Sequence, residues 1–113
     1  MQVLFESRDP EGARLRDLSV RRARFVMRRL AWLVPHATVR LSDDHGRRGA
    51  IDKRCRVELS THSLGTVVIT AVARDWRSAL DAALARAARV LVRAWRRGRD
   101  PGRTPRPLLA FEH

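Results

Sequence analysis

The spacing of apolar residues changes period several times along the 113-residue chain, and each change predicts an element. In QVLFES (2–7), Val3 and Phe5 alternate with polar neighbours, which predicts a short strand. Asp9, Pro10 and Gly12 predict a loop over 7–14. From 14 to 34 the spacing is helical. Leu15, Val26, Leu30 and Leu33 share a face flanked by Leu18, Ser19 and Ala23, and Arg14, Arg21 and Arg28 recur every seven residues on a neighbouring face. Pro35 predicts the stop of this helix.

Alternation then returns. In HATVRLS, Val39 and Leu41 oppose Thr38 and Arg40. A polar, glycine-containing connection follows over 43–52. In KRCRVELS (53–60), Cys55, Val57 and Leu59 oppose Arg54, Arg56 and Glu58. THSLG (61–65) predicts a turn, and the β-branched TVVITAV (66–72) predicts a strand. Asp75 is placed to cap a second long helix over 75–97. Its apolar sector holds Trp76, Leu80, Ala83, Leu84, Ala87, Leu91, Ala94 and Trp95, and Arg86, Arg89, Arg93, Arg96 and Arg97 fall on the far side. Three prolines and two glycines over 98–113 predict a flexible tail, with an LLAF segment able to dock on the body or on a partner. The predicted order is β-α-β-β-β-α. The last three strands form an antiparallel meander, and both helices pack on one face of a four-stranded sheet in a two-layer α+β domain.

Composition narrows the function. Apolar residues make up 44% of the chain, enough to fold around one small core. No apolar run is long enough to span a bilayer, and the N-terminus has no secretory pattern. Cys55 is the lone cysteine, which excludes an intrachain disulfide and fits a cytoplasmic setting. The net charge is +12, carried almost wholly by arginine, since Lys53 is the only lysine. A coding bias toward arginine, as in a GC-rich genome, accounts for the choice over lysine but not for the excess of positive charge. That excess predicts an anionic partner, and arginine suits bidentate phosphate contacts.

Catalytic chemistry is missing. His36, His45 and His62, with Asp43 and Asp44 nearby, lack metal-ligand spacing, so neither a metal nor another cofactor is expected. Ser42, Ser60, Ser63 and Ser78 have no Ser-His-Asp context, and Gly46 and Gly49 make no phosphate loop. Asp75 and Asp81 read as helix-start acids, and Cys55 as a core residue. No enzyme and no small-molecule substrate are expected. Trp76 and Trp95 belong to the packing sector. Phe25 and Trp32 lie nearer the basic side, where they either pack at a helix–helix seam or stack on a flipped base. Arg47 and Arg48, beside His45, are candidate additional RNA contacts.

Residues 1–97 resemble the ribosome hibernation-promoting factors, also called ribosome-associated inhibitors or ribosomal subunit interface proteins. The resemblance rests on Asp75, Ala79, Leu80 and Asp81 followed by Arg86, Arg89 and Arg93. It also rests on Leu15-Arg16-Asp17-Leu18 followed by Arg22, Val26 and Arg28, and on Pro35-His36 leading into a strand. Positions 18 and 77 carry Leu and Arg where many members have an aromatic residue. The resemblance implies a β-α-β-β-β-α domain over 1–97 of the short form, followed by the tail 98–113. It implies a cytoplasmic, non-enzymatic translation inhibitor that fills the mRNA and tRNA channel of the small ribosomal subunit under stress or in stationary phase. The helical surface then faces 16S rRNA through Arg22, Arg28, Arg86, Arg89 and Arg93. The charge pattern alone adds Arg29, Arg96 and Arg97. The alternative reading is a general structured-RNA-binding module or RNA chaperone using the same surface.

Overall fold

A computed structural model describes residues 1–43, 53–98 and 109–112. The elements are β1 (Gln2–Ser7), α1 (Pro10–Ala13), α2 (Arg16–Val26), a 3-10 turn (Ala31–Leu33), β2 (His36–Asp43), β3 (Lys53–Ser60), β4 (Thr66–Ala73), α3 (Trp76–Gly98) and β5 (Leu109–Glu112). The sheet runs β1-β2-β3-β4-β5. The inner three strands pair antiparallel, while β1 lies parallel to β2 and β5 parallel to β4. A helical crossover therefore joins each parallel pair, α2 between β1 and β2 and α3 between β4 and β5. The molecule is a two-layer α+β fold.

Alternation sets the layers. Cross-strand register aligns Ala37-Leu59-Val67, Val39-Val57-Ile69 and Leu41-Cys55-Ala71 in three rows, and every member is buried. Phe5 extends the middle row onto β1 opposite Val39. The other sheet face carries Glu6, Arg40 and Arg56 in one row and Leu4, Thr38, Glu58 and Val68 in the next. Arg40 donates from Nε and Nη2 to Glu6 Oε2 at 3.0 and 2.7 Å, and Arg56 lies 3.8 Å from Glu58. Charge on that face is thus largely paired.

Helix α3 closes the core. Its buried stripe comprises Trp76, Ala79, Leu80, Ala83, Leu84, Ala87, Val90, Leu91 and Ala94. The alanines at 79, 83 and 87 keep that face low, so the helix backbone lies close to the sheet while Leu80, Leu84 and Leu91 fill the space beside it. Asp75 caps the first turn. Its Oδ1 accepts from the Ser78 amide at 2.8 Å and its Oδ2 from the Ser78 hydroxyl at 3.0 Å. The turn before β4 is closed by Thr61, whose hydroxyl donates to the Gly65 carbonyl and accepts from the Leu64 amide. Gly65 holds φ 79°, a conformation that costs a side-chain-bearing residue free energy.

Four expectations change. The loop over 7–14 contains the short helix α1, because Asp9 Oδ1 caps it by accepting from the Glu11 and Gly12 amides and Pro10 sits in its first turn. The helix expected over 14–34 runs only from Arg16 to Val26. Beyond it Met27, Leu30 and Leu33 recur every three residues, the repeat of a 3-10 turn. Leu30 N–H donates to Met27 and Leu33 N–H to Leu30, each three residues back. The buried stripe of α2 and its end is Ser19, Ala23 and Met27, one turn apart each, while of the expected face Leu33 is buried and Leu15, Val26 and Leu30 are only partly covered. Arg14 caps the end of α1 and Arg28 lies past the end of α2, so of the three only Arg21 is in that helix.

The fourth change concerns the C-terminus. The expected four strands are present, and a fifth, β5, lies within the segment read as a flexible tail. It starts after the last proline, where 108–113 is free of both proline and glycine, and its backbone pairs with the Thr66–Ile69 half of the outer edge of β4. Residues 99–108 lie outside the described residues, as do Asp44, His45, Gly46, Arg47, Arg48 and Gly49.

Candidate nucleic-acid interface

Two contacts fix the helices relative to each other. Arg22 Nε lies 3.7 Å from Asp81 Oδ1 near the start of α3, and Trp32 meets Trp95 near its end. The Trp32–Trp95 rings are edge to face, with centroids 4.8 Å apart and planes at 87°. Both elements therefore progress in the same direction across the sheet, as two crossovers between parallel strands require.

These contacts also assign the flanks of α3. At about 100° per residue, Asp81 and Trp95 lie on the flank toward α2, and Arg86 and Arg93 lie on the opposite flank. Arg89 and Arg96 lie on the outer crest between them. Arg89, Arg93, Arg96 and Arg97 are exposed, and Arg86 is half-buried at the foot of its flank. On α2, Arg16 and Arg24 turn toward β1. Arg16 stacks over Phe5 at 5.3 Å, and Arg24 Nη1 donates to the Met1 carbonyl at 3.1 Å. Arg22 faces α3, and Arg28 and Arg29 are exposed past the helix end.

The arginines singled out from sequence thus share the outer side of the helical layer. They do not converge on a groove between the helices, because the seam is occupied by the Arg22–Asp81 pair and the tryptophans. Arg22 is partly committed to this pair, although both side chains remain about half exposed. Arg28 is folded back: Nη1 donates to the Phe25 carbonyl at 2.8 Å, and the guanidinium lies 4.3 Å from the centre of the Phe25 ring. Sequence reasoning passed over Arg21, which is exposed in the middle of α2 with Nε donating to the Asp17 carbonyl at 3.3 Å. Its place in the supposed heptad was the available signal.

The remaining candidates are structural. Cys55 lies in the central strand with no exposure, and burial pushes its thiol pKa up to about 12, so it stays protonated. The Ser78 amide and hydroxyl bonds hold the Asp75 carboxyl below its ordinary 3.8. Trp76 is buried, donates from Nε1 to the Ser42 carbonyl at 3.0 Å, and lies under the Lys53 ammonium at 4.7 Å. Trp95 is only partly buried, at the margin of the core where sequence placed it inside. His36 and His62 are exposed on separate elements, and among the described residues no three His, Cys, Asp or Glu side chains are grouped to hold a metal. No described helix is long and apolar enough to cross a membrane.

What the layer offers chemically is guanidinium groups at the outer surface with few carboxylates among them. Comparison with known proteins yields no matching family model and no matching curated relative.

Proposed function

We infer that this chain is a non-enzymatic, cytoplasmic RNA-binding protein. It docks on the small ribosomal subunit through the outer side of its helical layer and blocks translation by occupying the mRNA and tRNA channel. The observation that carries the reading is the asymmetry between the two faces. The outer sheet face pairs Arg40 with Glu6 and Arg56 with Glu58, whereas α3 after Asp81 presents Arg86, Arg89, Arg93, Arg96 and Arg97 with no acidic residue among them. Apart from the short α1 and the 3-10 turn, the α+β fold and the element order through α3 are those expected from the hibernation-factor resemblance.

The physics is that of phosphate binding. Helix α3 is 23 residues long and so spans about 34 Å, enough to reach several backbone phosphates. Engaging 6–8 phosphates, as an order of magnitude, gives a slope of about −4 to −7 in log affinity against log salt. Folded rRNA is then read by shape and backbone and not by base sequence.

Co-sedimentation of the purified chain with small subunits at low salt tests the reading, and its absence refutes it. Arg89→Glu with Arg93→Glu is expected to abolish co-sedimentation while leaving the thermal midpoint nearly unchanged, because both side chains are exposed. The placement of Arg86 and Arg93 on the flank away from α2 favours a second reading, in which α3 alone lies along the phosphates of any structured RNA. Displacement separates the two. Transfer RNA and mRNA analogues release a channel binder, and bulk duplex RNA releases a general one equally well.

A further inference from the structure

Two large aromatic side chains stand in water on the helical layer. Phe25, in the last turn of α2, is 61% exposed, and Trp32, in the 3-10 turn, is 59% exposed. Among the described residues of α2 and the 3-10 turn, the other large apolar side chains are buried or partly covered. Open ring area of this size forgoes the burial that drives folding.

Neither ring is loose. The Trp32 indole N–H donates to the Arg29 carbonyl at 3.1 Å, and its ring is braced against Trp95. Phe25 is held under the Arg28 guanidinium, itself anchored on the Phe25 carbonyl. With its only donor used internally, Trp32 offers bare π surface outward. A flat ligand that carries negative charge at its margin complements such a surface. An unpaired nucleobase with its phosphate meets both conditions.

The charge around the rings agrees. No acidic residue occurs between Asp17 and Asp43, or between Asp81 and Asp100. Insertion into a lipid surface asks for a continuous apolar face, and here Arg28 and Arg29 interrupt the chain between Phe25 and Trp32. We propose that Phe25, Arg28 and Trp32 form a stacking platform for an unpaired nucleotide of a bound RNA, with Arg29 taking the adjoining phosphate. This rests on the RNA-binding reading above and adds a single-stranded element to what is bound.

The test compares a short oligouridylate with a blunt RNA duplex, by fluorescence anisotropy on the full chain. Phe25→Ala and Trp32→Ala are each expected to weaken oligouridylate binding about 5-fold or more, with duplex binding little changed. Trp32→Phe restores most of the loss. Trp32→Ala also removes the brace on Trp95, so Phe25→Ala, which lies off that contact, decides the matter, with melting curves as the fold control. Equal losses on both RNAs, or none on either, overturn the platform. A blue shift of tryptophan emission on phosphatidylserine vesicles but not on oligouridylate also overturns it, in favour of a membrane surface. Wild-type binding to duplex alone removes the platform and leaves the RNA-binding reading standing. Binding to neither RNA removes both.

Discussion

Ser19 is a polar side chain with no exposure, and its hydroxyl has no hydrogen-bond partner. It sits in the stripe that α2 buries, where alanine fits the same space and favours the helix more. Ser19→Ala is therefore expected to raise stability by about 1 kcal/mol, read as a higher urea midpoint at unchanged slope. Cys55 makes the opposite case, a group whose burial is visible only when charge is demanded of it. Its pKa is 9.0 when unperturbed and about 12 in the fold. Stability from this site is intact below pH 9.0 and declines as pH rises toward 12, because only the unfolded chain releases the proton freely. The native protein at pH 8 is expected to leave a thiol reagent unreacted, and urea to release one equivalent. Cys55 was legible as inward-facing from spacing alone, whereas Ser19 was placed only at the flank of the expected face, and its unpartnered hydroxyl was not legible, because partners come from tertiary contacts.

Strands were legible almost to the residue, since alternation at period two leaves little freedom once one face is buried. Helices were less so. Asp9-Pro10 signals both a turn and a capped helix start, and only the hydrogen bonds that Asp9 accepts from the Glu11 and Gly12 amides decide between them. The segment from Met27 to Leu33 reads as helix over a long window, yet its local repeat of three belongs to the tighter turn. The cap of α3 was legible from Asp75 and behaves as a titratable part of the element. Asp75→Ala is expected to lower the thermal midpoint at neutral pH. The carboxyl pKa is depressed in the fold, so its contribution is present above 3.8 and is lost as pH falls through the lower folded value. The gap between mutant and wild-type melting curves should therefore close in acid.

At the scale of the molecule, the sequence carried the order of elements and the outward arginines but not how the two helices share them. The periodicity of α3 places Arg86, Arg89 and Arg93 away from the core. It does not say which flank meets α2, and the Arg22–Asp81 and Trp32–Trp95 contacts decide that. The strand at the C-terminus escaped sequence reading for a related reason. Leu109–Glu112 is too short to show a period, and its partner edge on β4 is distant in sequence.

That fifth strand has a consequence for the behaviour of the protein in a concentrated solution. Strand β4 reads TVVITAVA, eight residues without a charge, a proline or a glycine, and with β-branched side chains on both faces. Such a strand with an open edge is a template for further copies of itself. The backbone of β5 covers the Thr66–Ile69 half of that edge. A chain cut after Gly98 is expected to keep the far-UV spectrum of the helices and inner strands and yet to raise thioflavin T fluorescence at concentrations where the full chain stays clear. A clear solution of the truncated chain would show that this edge is harmless. The segment Leu109–Glu112 is thus expected to guard the protein against self-assembly.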